Sequence, residues 1–370
     1  MKQGLIHGAA ALAALSIFVA FNFNHLLAPP IIPQSQNFLH KAEINHLIGA
    51  FGPESLAFDA NGDGPYTGVA DGRILKWVGA ERRWIDFAVT SSHRENCTRP
   101  FALDMEHICG RPLGLRFDRK TGDLYIADAY LGLHVVGSNG GLASKLVTEF
   151  EGNPLVFTNY IDIDEDENVL YFSDSSTIFQ RRQFMASVLS GDRTGRLMKY
   201  DRSTKEVTVL LKGLAFANGV ALSKDRSFVL IAETSTCRIH RLWLKGSKTG
   251  QSELFSELPG FPDNIRRNSE GEFWVALHSK KGPISHTIVA NPWIGKIVLR
   301  LPINFKQLHY LLVGGKPHAT VIKLNENGEI VKVLEDCEGK SLKFISEAEE
   351  KDGKLWLGSV LTPSIGVYSL

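Results

Sequence analysis

The chain has no long run of basic residues, and its 41 Lys and Arg against 40 Asp and Glu leave a formal net charge of +1 over 370 residues. That balance lacks the clustered positive charge that nucleic acid requires, so no nucleic-acid partner is expected. Cysteine is scarce, with four residues and no C-x-x-C pair, and the spacing is wrong for zinc. Long apolar runs are missing too, with one exception. Leu5 to Phe23 carries no Asp, Glu, Lys or Arg and follows Lys2, close to the about 20 apolar residues that span a bilayer. No crisp A-x-A cleavage site follows it. Residues 1–28 therefore read as a cleaved signal peptide or a retained signal anchor, and the Pro-rich stretch 29–44 as a linker. Either way the chain enters the secretory pathway and resides in the endoplasmic reticulum, the vacuole or outside the cell, in the second case as a single-pass membrane protein.

The cysteines suit an oxidising compartment. Cys97 and Cys109 bound the short loop "CTRPFALDMEHIC" and are expected to pair, leaving Cys237 and Cys337 as thiols. Asn96 opens an Asn-Cys-Thr glycosylation sequon, with a middle cysteine that makes it a poor acceptor.

What is abundant is glycine, 34 residues, in a turn-rich and strand-rich pattern. Six segments repeat one phrase: a turn, an alternating strand, a second turn, and a second strand ending in small or polar residues. The second strands start near Tyr66, Leu124, Leu170, Val229, Phe273 and Leu355, roughly 45 to 60 residues apart except for a long gap before the last. That period fits propeller blades, and alternation as in Leu124 to Asp128 is the signature of half-buried strands. The expected fold is an all-β, six-bladed β-propeller over residues 45–370.

In such a fold the first strand of each blade lies at the axis, so polar residues at one repeat phase converge on the channel mouth. At that phase stand Glu54 in "GPESLAF", Asn159 in "FTNYIDI", Asn218 in "FANGVAL", and Asp263 with Asn264 in "FPDNIRR". Taken singly, each reads as a turn residue. Taken together they are two carboxylates and three amides, an all-oxygen set suited to a hard cation such as calcium and not to zinc or copper. His278, at the end of its strand, is the nearest candidate base. The partner expected at this mouth is a small-molecule substrate.

The phrases "FGPESLAFD", "CGRPLGLRF", "LYIADAYLGL", "VLYFSDSS", "FANGVALS", "PDNIRRNSEGEFWVAL" and "EKDGKLWLGSV" resemble the strictosidine synthase-like proteins from about Phe38 to Leu370. The resemblance implies a six-bladed propeller. It also implies a departure, because true synthases condense tryptamine with secologanin using one glutamate in the last blade. An ungapped match puts Ser346 in its place, and the neighbouring Glu347 reads as a solvated charge in "SEAEEKDGK". The set Glu54, Asn159, Asn218, Asp263 and Asn264 is similar instead to the calcium ligands of paraoxonases and gluconolactonases. By that likeness the chain is a calcium-dependent hydrolase of lactones or aryl esters, with Asp263 and His278 as the catalytic candidates. A second-blade histidine of paraoxonases is matched here by Leu113. The alternatives are a synthase-type condensing enzyme and a non-catalytic endomembrane binding propeller.

The long gap holds residues 291–315, "NPWIGKIVLRLPINFKQLHYLLVGG", apolar with Lys and Arg punctuation. A short amphipathic helix is expected there, capping the channel or touching a membrane. Membrane contact is thus expected through residues 5–23 and 291–315.

Overall fold

The computed structural model describes residues 30–97 and 103–370. The apolar run 5–23 lies outside them. Among the described residues no helix is long and apolar enough to cross a membrane.

Six four-stranded sheets follow one another as the blades of a propeller, and in five of them the order across the sheet is the order along the chain. The second strands begin at Tyr66, Leu124, Val169, Phe228, Phe273 and Lys354, within one residue of the repeat read from the sequence. The first strands are Pro112–Phe117, Thr158–Asp164, Ala217–Leu222, Gly260–Arg267 and Glu347–Lys351. In the first blade residues 53–57 take this place, held by an isolated bridge from Ala57 to Tyr66. Successive first strands touch around the hub.

The ring is closed by both ends of the chain. Glu43–His46 pairs antiparallel with Ser364–Ser369, Glu43 opposite Val367 and His46 opposite Ser364. One N-terminal strand thus completes a sheet whose other three strands are C-terminal. Gln36 bridges Leu334, and Ile32 and Leu39 are buried. Much of the stretch expected as linker is therefore built into the propeller.

The core lies between blades. Tyr125 and Ala127 pack with Ile161, Leu170 and Phe172 of the next blade, while Leu124 and Ile126 pack with Tyr66 and Ile74 of the preceding one. Both faces of a middle strand are covered, so Leu124–Asp128 is buried throughout and not alternately.

Cys97 and Cys109 are joined in a disulfide, Cys237 is a buried thiol and Cys337 an exposed one. Asn96 is exposed beside the disulfide. Mass spectrometry of unreduced peptides should recover the Cys97–Cys109 linkage. Reduction should cost about 3 kcal/mol, the usual worth of a loop this short. Recovery of free thiols at both positions would contradict the pairing.

Candidate functional site

The Asp263-Asn264 pair does not sit on a turn, the reading that each residue suggests singly. It lies inside the first strand of its blade, at a bulge. Pro262 pairs with Leu277 and Ile265 with Val275, so Asp263 and Asn264 together face the single residue between. The same irregularity falls between Thr158 and Ile161 and between Ala217 and Val220. Each bulge lifts a ligand candidate (Asn159, Asn218, or Asp263 with Asn264) out of the ladder and re-aims its side chain. Gly219 follows Asn218 because the hub is tight. A Cβ there would lie 2.5 Å from the backbone nitrogen of Ile265.

Hydrogen bonds then fix which way each amide points. Ser175 donates its hydroxyl to the carbonyl of Ala217 at 2.6 Å, so toward Asn159 it can only accept, from Nδ2 at 2.9 Å. Thr234 does the same one blade on, donating to the carbonyl of Pro262 at 2.7 Å and accepting from Asn218 Nδ2 at 3.1 Å. Asn218 Nδ2 also donates to Asp263 Oδ1 at 2.7 Å, and Asn264 Nδ2 to Glu54 Oε1 at 2.9 Å. All three amide nitrogens are committed. Glu54 Oε2 and the Oδ1 atoms of Asn159, Asn218 and Asn264 are left buried with no partner.

Buried acceptors are nearly always paired, and each orphan costs about 1–3 kcal/mol. Four from one residue set are acceptors that a cation would satisfy. The carboxylates agree. Burial, then the charges of Asp263 and Glu347, push Glu54 well above the usual carboxylate range. Burial also pushes Asp263 up to about 7, against the hydrogen bond from Asn218. Two carboxylates in one dry site cannot both ionise without a counter-charge. Among the described residues no three His, Cys, Asp or Glu side chains form a metal-holding group, so this donor set rests on amides and suits calcium better than a softer ion.

Glu54, Asn159, Asn218 and Asp263 line a cavity that is partly open to solvent. Its walls are apolar, with Leu113, Phe157, Phe216 and Phe261 low down and Phe184, Val289 and Leu312 higher up. Among the described residues Glu54 and Asp263 are its only carboxylates. Arg181 reaches the same cavity and donates to the buried Glu106 at 2.7 Å, which also accepts from the Tyr130 hydroxyl at 2.9 Å.

His278 lines the cavity as expected, but not as a base poised near neutrality. Its Nε2 is 3.0 Å from Nε2 of His309, and its ring stacks on Phe344. Burial and the neighbouring histidines push His278 down to about 3 and His309 down to about 4. Both rings are neutral at physiological pH, one donating to the other.

The reading of Glu347 as a solvated charge is corrected. Its side chain is fully buried, accepts from Tyr160 at 2.8 Å and pairs with Arg266 Nε at 3.1 Å. Arg266 further donates to the carbonyls of Leu56 and Leu115, so its guanidinium plugs the hub. Ser346 is buried beside it and donates to the carbonyl of Glu54 at 2.7 Å. Neither Ser346 nor Glu347 reaches the cavity.

The stretch 291–315 forms two short helices where one was expected, Pro292–Val298 and Phe305–Leu312, and a third, Pro283–Ala290, precedes it. With Phe184–Ser190 they roof the cavity, packing Ile288, Ile294, Val298, Leu308 and Leu312 inward against Met185 and Leu189.

Sequence reasoning missed His309, Arg181 and the orienting hydroxyls. The hydroxyls had a signal, since Ser175 and Thr234 each lie 16 residues after the amide they orient. His309 and Arg181 lie outside the repeat phase and had none.

Family models for strictosidine synthase and for the strictosidine synthase-like N-terminal region match residues 159–247 and 36–77. Among solved structures, a gluconolactonase from Xanthomonas campestris superposes with a TM-score of 0.58 at 12% identity, covering 93% of this chain and 96% of that one. A calcium-binding regucalcin from Agrobacterium tumefaciens gives 0.54 at 12% identity, covering 88% and 91%. At such identities these two share the fold. The Arabidopsis thaliana protein strictosidine synthase-like 10 is 63% identical over 98% of this chain and 96% of its own length. Strictosidine synthase-like 3 of the same plant is 52% identical over 97% and 94%. With relatives this similar along almost its entire length, the chain belongs to the strictosidine synthase-like family.

Proposed function

We propose that the cavity hydrolyses lactones or aryl esters with a calcium ion held on its floor by Glu54, Asn159, Asn218, Asp263 and Asn264. The observation that carries this reading is the group of four buried, unpartnered oxygens from these residues. Bound there, calcium would polarise the substrate carbonyl and stabilise the oxyanion. The aromatic and aliphatic walls bind the apolar part of the substrate and thin out competing water. Asp263, alone among the floor carboxylates in facing Asn218, is the candidate base or nucleophile by position. His278 is too weak a base to lead and serves by hydrogen bonding to substrate, its tautomer set by His309. Arg181 adds a positive charge beside the floor. The test is turnover of a lactone and aryl-ester panel by the purified full chain. Activity that a chelator abolishes and calcium restores supports the proposal, whereas no turnover by calcium-loaded protein overturns it.

One observation favours a second reading, a binding propeller without turnover. The cavity wall carries Leu113 where a paraoxonase-like site would have an imidazole, and His278 is held neutral. Calcium-loaded protein that binds lactones without hydrolysing them is the result this reading expects.

Strictosidine synthesis is expected to be absent. That condensation needs an acid–base group at the bound amine and aldehyde, and losing one typically costs about 10²–10⁴-fold. Glu347 is locked to Arg266 and Tyr160 below the cavity. A cation on the floor would also repel a protonated amine. Incubation with tryptamine and secologanin, read by mass, should show nothing above background. Product that disappears in Glu347→Gln would restore the synthase assignment.

A further inference from the structure

The roof of the cavity is apolar on both sides. Along Pro292–Val298, Ile294 and Val298 face inward into the roof cluster. Trp293 and Ile297, one position earlier, point away from it and are 64% and 50% exposed. Leu301, Phe305 and Tyr310 are exposed as well, at 47%, 42% and 53%, Phe305 at the cavity rim with its ring against Phe184 and His309. A helix surface that is apolar all round is ordinarily covered on both sides, and five bulky exposed side chains in one short segment exceed scattered surface apolarity.

The charge along this segment has one sign. No Asp or Glu occurs between Glu272 and Glu326. Lys296, Arg300 and Lys306 are interleaved with the apolar residues and exposed. Tryptophan, tyrosine and long aliphatics mixed with lysine and arginine form the composition of an element lying in a lipid interface. A face for a second protein would be expected to carry acids as well as bases. The chain also holds a means of reaching a bilayer. Phe23 ends the apolar run, and Pro30, the first described residue, is seven positions later. Seven extended residues reach about 25 Å at most, so a retained run keeps the propeller close to the membrane.

We propose that the outer face of the helical roof, Trp293, Ile297, Leu301, Phe305 and Tyr310 with Lys296, Arg300 and Lys306, docks onto an anionic phospholipid surface, so that the cavity mouth opens at the membrane interface. This is independent of whether the cavity hydrolyses esters.

The test uses the full chain in nanodiscs of phosphatidylcholine mixed with phosphatidylserine, prepared with plain or brominated acyl chains. Bromine quenches tryptophan on contact, and the difference between wild type and Trp293→Phe isolates the Trp293 signal. The expected result is Trp293 emission quenched in brominated discs. Lys296→Glu, Arg300→Glu and Lys306→Glu together should lower the quenched fraction at least two-fold, as should replacing phosphatidylserine with phosphatidylcholine. Equal Trp293 emission in plain and brominated discs would overturn the proposal. Hydrogen exchange of residues 291–313 is read on the same samples and needs no substitution. Protection there without quenching means that a second copy or the N-terminal run covers the face, and it also overturns the lipid assignment.

Discussion

Asp263→Ala is expected to abolish calcium binding and, with it, ester hydrolysis. The substitution removes one of two carboxylates from a floor whose other donors are neutral amides, and it takes from the Asn218 nitrogen the shorter of its two acceptors, at 2.7 Å, leaving it Thr234 alone. Loss of a positioned group at the reacting centre should lower turnover by about 10²-fold or more. Stability should respond in the opposite sense. Asp263 sits at about 7 in the folded protein, above the about 3.9 of an unfolded aspartate. A raised carboxyl contributes stability that is full below the unfolded value and is lost as pH rises through the folded one. Without calcium, wild-type melting temperature should therefore fall between about pH 4 and pH 7, and Asp263→Ala should flatten that fall. Calcium should raise the wild-type melting temperature, by about 2.7 kcal/mol of stability at a hundred times Kd, and leave the variant unmoved. A calcium-induced rise of equal size in both proteins would remove Asp263 from the site.

Glu347→Ala should be among the most destabilising single changes in the propeller. Arg266 lies at the hub with its guanidinium held by Glu347, Glu349 and two backbone carbonyls, and almost none of it reaches solvent. Removing the principal counter-charge leaves the buried cation with only Glu349, which is partly exposed, a loss of about 3 kcal/mol. Replacing both members, Glu347→Leu with Arg266→Met, should cost less than the single change, because no fully buried charge is then stranded and Glu349 keeps contact with solvent. Denaturant unfolding of the two variants measures the difference. A Glu347→Ala cost below about 0.5 kcal/mol, normal for a surface position, would return Glu347 to the solvated charge that its sequence context suggests.

Glu347 also shows where the sequence stops informing. It stands in "SEAEEKDGK", a charge-dense phrase that reads as surface. Its partners come from Tyr160, 187 residues away, and Arg266, 81 away, and meet it only because the hub gathers first strands from several blades. No local pattern carries that pairing. The strand starts were legible because each blade repeats the same local chemistry, and so was the phase of Glu54, Asn159, Asn218 and Asp263. The bulges were misread as turns, since a residue pair leaving the ladder has the composition of a turn whether or not the chain reverses. His309 belongs to an insertion with no counterpart in other blades, so periodicity could not reveal it. The apolar run 5–23 remains an expectation drawn from composition.

The central claim is that the orphaned oxygens of the floor hold one cation, and a crystal grown with calcium, or soaked with terbium in its place, tests it most directly. The account predicts a single anomalous peak at the cavity floor, about 2.3–2.6 Å from Glu54 Oε2 and from the Oδ1 atoms of Asn159, Asn218 and Asn264 for calcium, with Asp263 completing the protein ligands. A floor filled only by water at saturating calcium, or an ion bound elsewhere with these oxygens still unpartnered, would contradict it.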